Sequence, residues 1–211
     1  MGAENRAPAP AAPRKPVTTR IAARDAYRLW ARTYDEAPNA MVSLIDRHLE
    51  IPAGRVIDVA CGTGRRVERS GAFGVDLSLE MLSRAPRRVA QADALRLPFA
   101  DGTADVTLCI LALGYIAPAE SAIEELFRIT RPGGWIIAAD VHPLAIAAGW
   151  TRSFREDDVV YEIENHPWRP DGADDLFFGG PERAIYAGAG RLDLFERIRA
   201  TPAVWMKRWR R

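Results

Sequence analysis

The chain has 211 residues, 48% of them hydrophobic, and a formal net charge of +1. That is enough apolar material for one sizeable core; no apolar run approaches the roughly 20 residues of a membrane span, and near-neutrality excludes global steering toward nucleic acid or an acidic membrane surface. Cys61 and Cys109, the only cysteines, fall in predicted core strands or their ends, which excludes a disulfide scaffold, supplies no metal set and points to a reducing, cytoplasmic setting.

Residues 1–17 are rich in alanine and proline without a hydrophobic period, which predicts a disordered tail. Pro8, Pro10, Pro13 and Pro16 interrupt any apolar h-region, so a secretory signal is not expected, and they argue equally against the helix of a transit peptide. Residues 18–54 read as a helical lid. Thr18 or Thr19 is positioned to cap a helix from Arg20 to about Thr33, with Tyr27, Trp30 and Tyr34 at i, i+3 and i+7 on one face. That stripe is either core packing or the underside of a lid. A second helix, Met41 to Glu50, puts Met41, Leu44, Ile45 and Leu49 on a core face before Pro52-Ala53-Gly54 turns the chain.

The most informative stretch is Arg55 to Arg65, R-V-I-D-V-A-C-G-T-G-R, in which an apolar strand runs into a glycine turn that opens a helix. Val56, Ile57 and Val59 are strand formers, and Asp58 is a candidate buried carboxylate to hold the turn by its backbone N–H groups. Gly62 and Gly64 let the backbone approach a ligand with no Cβ in the way. A helix of about two turns, Arg65 to Ser70, fits before the next strand, Phe73 to Leu77. Asp76 ends that strand, where a doubly wound sheet hydrogen-bonds the ribose hydroxyls of a nucleoside. Val67 occupies the third glycine position of a dinucleotide fingerprint, which argues against a nicotinamide cofactor.

Ser78 is placed to cap a helix running to about Ala85, Arg88 to Ala92 reads as the third strand, and Asp93 stands at its carboxyl end. Ala104 to Leu111 is a nearly continuous apolar strand of the kind buried on both faces. Its end, Leu111 to Tyr115, falls at the mouth expected for a site in such a sheet, where Tyr115 is either a substrate contact or packing against the lid. Glu120 to Thr130 is a helix with Ile123, Leu126 and Phe127 on one face, ended by Pro132-Gly133-Gly134 before a strand from Trp135 to Asp140. His142 follows at a carboxyl end, a candidate general base or else a turn histidine. Asp158 to Glu164 alternates as a strand, and His166 after it is a weaker substrate-side candidate. Arg169 to Asp174 is turn-rich. Leu176 to Phe178 reads as a short strand, Pro181 to Arg199 as a helix and Ala203 to Trp209 as the last strand. The basic end, Lys207 to Arg211, reads either as a charged strand edge or as an aromatic-interleaved nucleic-acid patch, the former being the commoner device.

Four stretches in order carry a family resemblance. Asp58 to Gly64 (D-V-A-C-G-T-G) resembles the first motif of class I S-adenosylmethionine-dependent methyltransferases, with Ala60 where many relatives have glycine. Val75 to Ser78 resembles their second motif, Gln91 to Ala94 with Leu97 to Phe99 the third, and Arg131 to Gly134 the later one. The resemblance implies an α/β, doubly wound (Rossmann-like) seven-stranded sheet, mostly parallel with an antiparallel last strand and helices on both faces. It divides the chain into a cofactor-binding core at 55–143 and a variable substrate-side segment at 144–211, where the turn-rich stretch leaves no room for a helix that relatives carry. It implies S-adenosyl-L-methionine as cofactor, held at Tyr34, Asp58, Ala60, Gly62, Gly64, Asp76, Leu77, Asp93, Ala94 and Leu111, with Tyr34 at the methionyl end and Asp93 and Ala94 at the adenine.

The expected function is in-line methyl transfer to the O, N or C atom of a small-molecule substrate, in the style of quinone, biotin-pathway and natural-product methyltransferases. No nucleic-acid partner is expected, and the protein would be a monomer or homodimer. The alternatives are a cofactor-binding protein of the same fold that transfers no methyl group and, further off, a nicotinamide-dependent oxidoreductase.

Overall fold

The computed structural model describes residues 17–211, so the predicted tail lies outside the described residues except for Val17, which opens the first strand. The chain opens with β1 at Val17–Ile21, α1 at Ala23–Trp30 and α2 at Ala40–His48, and the four strands of the predicted nucleoside-binding half then form as expected: β2 at Val56–Val59, followed by α3 at Arg65–Ser70, β3 at Phe73–Asp76, α4 at Leu79–Leu82, β4 at Val89–Gln91 and β5 at Ala104–Ile110. The second half holds α5 at Ala119–Ile129, β6 at Thr130–Val141, α6 at Pro143–Ala147, β7 at Ser153–Glu156, β8 at Val159–Ile163, β9 at Asp174–Leu176, α7 at Gly180–Gly188, α8 at Leu192–Ile198 and β10 at Val204–Arg210.

Seven strands make one sheet in the order β4-β3-β2-β5-β6-β10-β9. The first five are parallel, and β10 runs antiparallel to both β6 and β9, so the sheet predicted from the sequence is the sheet observed. Its central strands are buried on both faces because side chains alternate across the pleat. Leu108, Ile110, Ile137 and Ala139 point into a layer shared with Met41, Leu44 and Ile45 of α2 and with Phe195 and Ile198 of α8. Ile57, Val59, Cys109, Ile136 and Ala138 point the other way, onto Ala119, Ala122, Leu126 and Ile129 of α5. The carboxyl ends of β2, β3 and β5 therefore open together at one rim.

Two expectations are corrected. Residues 17–21 are not the start of a helix but a strand, paired parallel with β8 from Val17 opposite Val159 to Ile21 opposite Ile163. V-T-T-R-I favours an extended backbone, and its partner lies far along the chain, where local spacing gives no hint of it. With β7 these strands form a separate three-stranded sheet against α1, around Ala26, Phe154 and Ile163. The single helix expected over 181–199 is two, α7 and α8, separated by the Ala189-Gly190-Arg191 turn. The basic end is part of the sheet: Arg210 lies 4.6 Å over the Trp135 ring, and the Arg208 and Arg211 guanidiniums donate to backbone carbonyls. Among the described residues no helix is long and apolar enough to cross a membrane.

Candidate active site

The turn after β2 is built on left-handed backbone, with φ of 57° at Ala60, 56° at Gly62 and 77° at Gly64. One carboxylate fixes it. Asp76 accepts the Gly62 N–H at 2.8 Å through Oδ2 and the Ser78 N–H at 2.8 Å through Oδ1, joining the turn to the end of β3. The sequence assigned turn-holding to Asp58; in the structure Asp76 takes the Gly62 N–H, and Asp58 is buried in β2 behind the turn. Burial pushes the Asp58 carboxyl up to about 7, against the opposing pull of Arg66. Gly64 serves from behind as the N-cap of α3, and a Cβ built on it would stand 2.5 Å from Pro86 Cδ. Val67 is buried against Gly74 of β3, filling the place a dinucleotide fold keeps free.

A cavity of about 540 Å³ opens above this turn. Ala60, Gly62, Asp76 and Leu77 line its floor, Asp93 and Ala94 one end, and Leu111, with φ of 60°, the rim of β5. Asp93 also accepts the Leu95 N–H at 2.9 Å, so it shapes its own turn while facing the cavity. Tyr34 and Tyr115 line the opposite wall. Of the residues expected at the cofactor, Asp58 and Gly64 alone support the cavity without lining it.

The roof is the segment between α1 and α2. Asp35 takes a hydrogen bond from Thr63 Oγ1 at 3.1 Å, latching the roof to the glycine turn, and Asn39 caps α2 by accepting the Met41 and Val42 N–H groups. Helix α7 is pinned to α2 by Glu182, whose fully buried carboxylate receives Ser43 Oγ, Arg47 Nη2 and the Gly179 N–H, each at 2.8 Å, and this brings Ile185 to the cavity.

The two candidate histidines stand elsewhere. His142 is the N-cap of α6, its Nδ1 accepting the Leu144 N–H at 3.0 Å, while Nε2 lies 3.3 Å from Asp175 Oδ1. Pro143 starts that helix, and the Leu144 N–H, a first-turn donor with no intrahelical partner, is taken by the His142 ring. Burial, opposed by Asp175, lowers its pKa. His166 is exposed, and its backbone N–H donates to the Gly114 carbonyl at 2.7 Å. Neither lines the cavity.

Sequence reasoning missed Arg66 and Arg152. Arg66 lines the cavity and pairs with Asp46 through Nη2 at 3.3 Å, while its buried Nε has no partner among the described residues. Arg152 does not itself line the cavity but is buried behind its Tyr27 and Tyr34 wall, its guanidinium carbon 5.7 Å from the Tyr27 ring, 5.6 Å from Trp30 and 5.7 Å from Tyr34, and its Nη2 donates to Tyr34 Oη at 2.7 Å. The aromatic stripe of α1 is thus both packing and cavity wall. Burial raises the phenols of Tyr27 and Tyr115, so both remain protonated donors.

Residues 57–138 match the methyltransferase domain family. A solved S-adenosylmethionine-dependent methyltransferase from Mesorhizobium loti superposes with a TM-score of 0.60 over 82% of this chain and 98% of that one, at 18% identity, a likeness of fold. Over its cofactor half the chain is similar to class I S-adenosylmethionine-dependent methyltransferases. The demethylmenaquinone methyltransferase of Beutenbergia cavernae is 34% identical over 54% of this chain and 47% of that protein. That of Renibacterium salmoninarum is 32% identical over 63% and 56% respectively. The chain therefore spans about half the length of these relatives.

Proposed function

We propose that this protein transfers a methyl group from S-adenosyl-L-methionine to a compact small-molecule acceptor. The observation that carries the reading is one cavity with a nucleoside-shaped floor and a tyrosine-lined end wall. At the floor, Asp76 keeps lone pairs for ribose hydroxyls after accepting two backbone N–H groups, while Leu77, Met81, Asp93 and Ala94 flank the place for an adenine. The buried Arg66 Nε, without a partner among the described residues, fits the carboxylate of an amino-acid end. These residues suit the cofactor, which when bound supplies an activated methyl group.

The protein's own part is to hold the acceptor in line and exclude water, an arrangement whose contribution reaches about 7–11 kcal/mol in the best intramolecular cases. The Asp35 to Thr63 latch and the Glu182 anchor close the roof for that purpose. A volume of about 540 Å³ must take both reactants, which favours a compact acceptor. Relatives named for demethylmenaquinone support a small-molecule acceptor as a class; because the chain covers only half of them, the quinone itself is not carried over.

The test is product analysis. Incubation with S-adenosylmethionine and a panel of small acceptors is expected to release S-adenosylhomocysteine in step with a product heavier by one methyl group. Tight cofactor binding with no transfer to any acceptor would instead favour the non-methylating alternative.

A further inference from the structure

Buried guanidiniums are normally paired, because the penalty for desolvating an ion is several kcal/mol. Arg152 is only 6% exposed, yet among the described residues no carboxylate lies within ion-pairing distance of it, and its Nε has no hydrogen-bond partner. Its neighbours are the rings of Tyr27, Trp30 and Tyr34, which stabilise a cation without neutralising it. The one buried acid nearby, Asp140, is occupied by the Gly114 and Val141 N–H groups at 2.8 and 2.7 Å. Two further polar atoms are orphaned at the same place. Arg152 and Asn165 both lie beside the Tyr115 hydroxyl, and Tyr115 Oη and Asn165 Oδ1 are buried with no well-formed hydrogen bond among the described residues. Tyr34 Oη accepts from Arg152 and so keeps its own proton to donate.

We infer that the end wall is an oxyanion subsite: the acceptor is a compact organic anion, a carboxylate or a phenolate, whose oxygen takes hydrogen bonds from the Tyr34 and Tyr115 hydroxyls and whose charge is balanced by Arg152. The inference rests on the methyltransferase reading and adds the chemical class of the substrate. It accounts for a Tyr115 hydroxyl that burial keeps protonated, for a cation with no carboxylate within ion-pairing distance among the described residues, and for the two orphaned donors Arg152 Nε and Tyr115 Oη. Asp35 and Glu36, which also line the cavity, are exposed and screened by water, whereas Arg152 acts through a low-dielectric wall. An oxyanion needs no proton removed before it reacts, so the site requires no histidine beside it, in keeping with the positions of His142 and His166.

The experiment is equilibrium binding to the full chain saturated with S-adenosylhomocysteine, with benzoate against benzamide for the carboxylate arm and 4-nitrophenol against 4-nitroanisole for the phenolate arm. The expected result is that at least one acid binds ten times or more tighter than its neutral analogue. If 4-nitrophenol is that acid, its coloured phenolate band grows on binding. Arg152→Gln should weaken the preferred acid at least tenfold while S-adenosylhomocysteine still binds. Because Tyr115 Oη makes no well-formed hydrogen bond among the described residues, Tyr115→Phe guards against a folding artefact: it should leave the melting temperature unchanged or higher, yet weaken the acid threefold or more. Neutral analogues that bind as well as the acids, acids that do not bind at all, or acid affinity untouched in both variants would overturn the subsite. Failure of the wild type to bind S-adenosylhomocysteine would instead overturn the methyltransferase reading beneath it.

Discussion

The two ends of the cavity are made in different ways. The end proposed for the cofactor is built on backbone: left-handed residues at Ala60, Gly62 and Leu111, N–H groups aimed by Asp76, and short connections between neighbouring strands. The end proposed for the acceptor is built from side chains, with Tyr27, Tyr115, Arg152 and Asn165 arriving from four separate segments and meeting only when the second sheet folds against α1. A site made of backbone is rigid and tolerates few changes of residue; a site made of side chains can be rebuilt without touching the cradle. Conserving one chemistry while changing its acceptor needs this division.

The sharpest way to break the comparison is Phe154→Ala. Phe154 stacks on Trp30 at 5.0 Å and on Tyr161 at 5.2 Å, holding the acceptor wall together. Truncation should cost about 3–5 kcal/mol by urea denaturation, while affinity for S-adenosylhomocysteine falls no more than about threefold, as expected for distant sites. An equal collapse of cofactor binding would show that the ends are one unit. Gly64→Val is the converse: a β-branched residue at φ of 77°, with its Cβ against Pro86, should cost about 2–4 kcal/mol and abolish cofactor binding by calorimetry.

Asp58→Asn probes the cofactor half from beneath. Burial raises the folded-state pKa to about 7 from an unfolded value of 3.8. Such a group's contribution to stability is full below the unfolded value and is lost as pH rises through the folded one. The wild type should therefore lose stability relative to Asp58→Asn between about pH 4 and pH 7, by on the order of 2–4 kcal/mol. Denaturation midpoints at the two ends of that range check it, and a constant gap would mean that Asp58 is ionised throughout. The smallest effect is expected at the latch: Thr63→Val removes the donor to Asp35 and should cost under about 1 kcal/mol, seen as a few-fold faster release of cofactor in stopped flow.

What could be read from the sequence follows the same division. The run from Val56 to Gly64, the acid at Asp76 and the apolar strand at Ala104 are local signals, since strand formers, glycines and a terminal acid carry their meaning within a few residues. Even there, Asp58 and Asp76 differ in a way that spacing does not reveal: which carboxylate faces the turn depends on the pleat of β2 and on the neighbouring strand. The sheet formed by Val17–Ile21 with β8 was hidden because its partners are far apart in sequence. His142 looked chemical because it follows a strand's carboxyl end, but Pro143 makes it a helix cap. Arg152 gave no signal at all, one arginine among many, until its neighbours were known.

The most direct test of the account is calorimetric titration of the wild type and Asp76→Asn with S-adenosylhomocysteine. The account predicts affinity of about micromolar order for the wild type, weakened at least tenfold, or about 1.4 kcal/mol, by the substitution. No binding by a folded wild type, or equal binding by the two proteins, would contradict it.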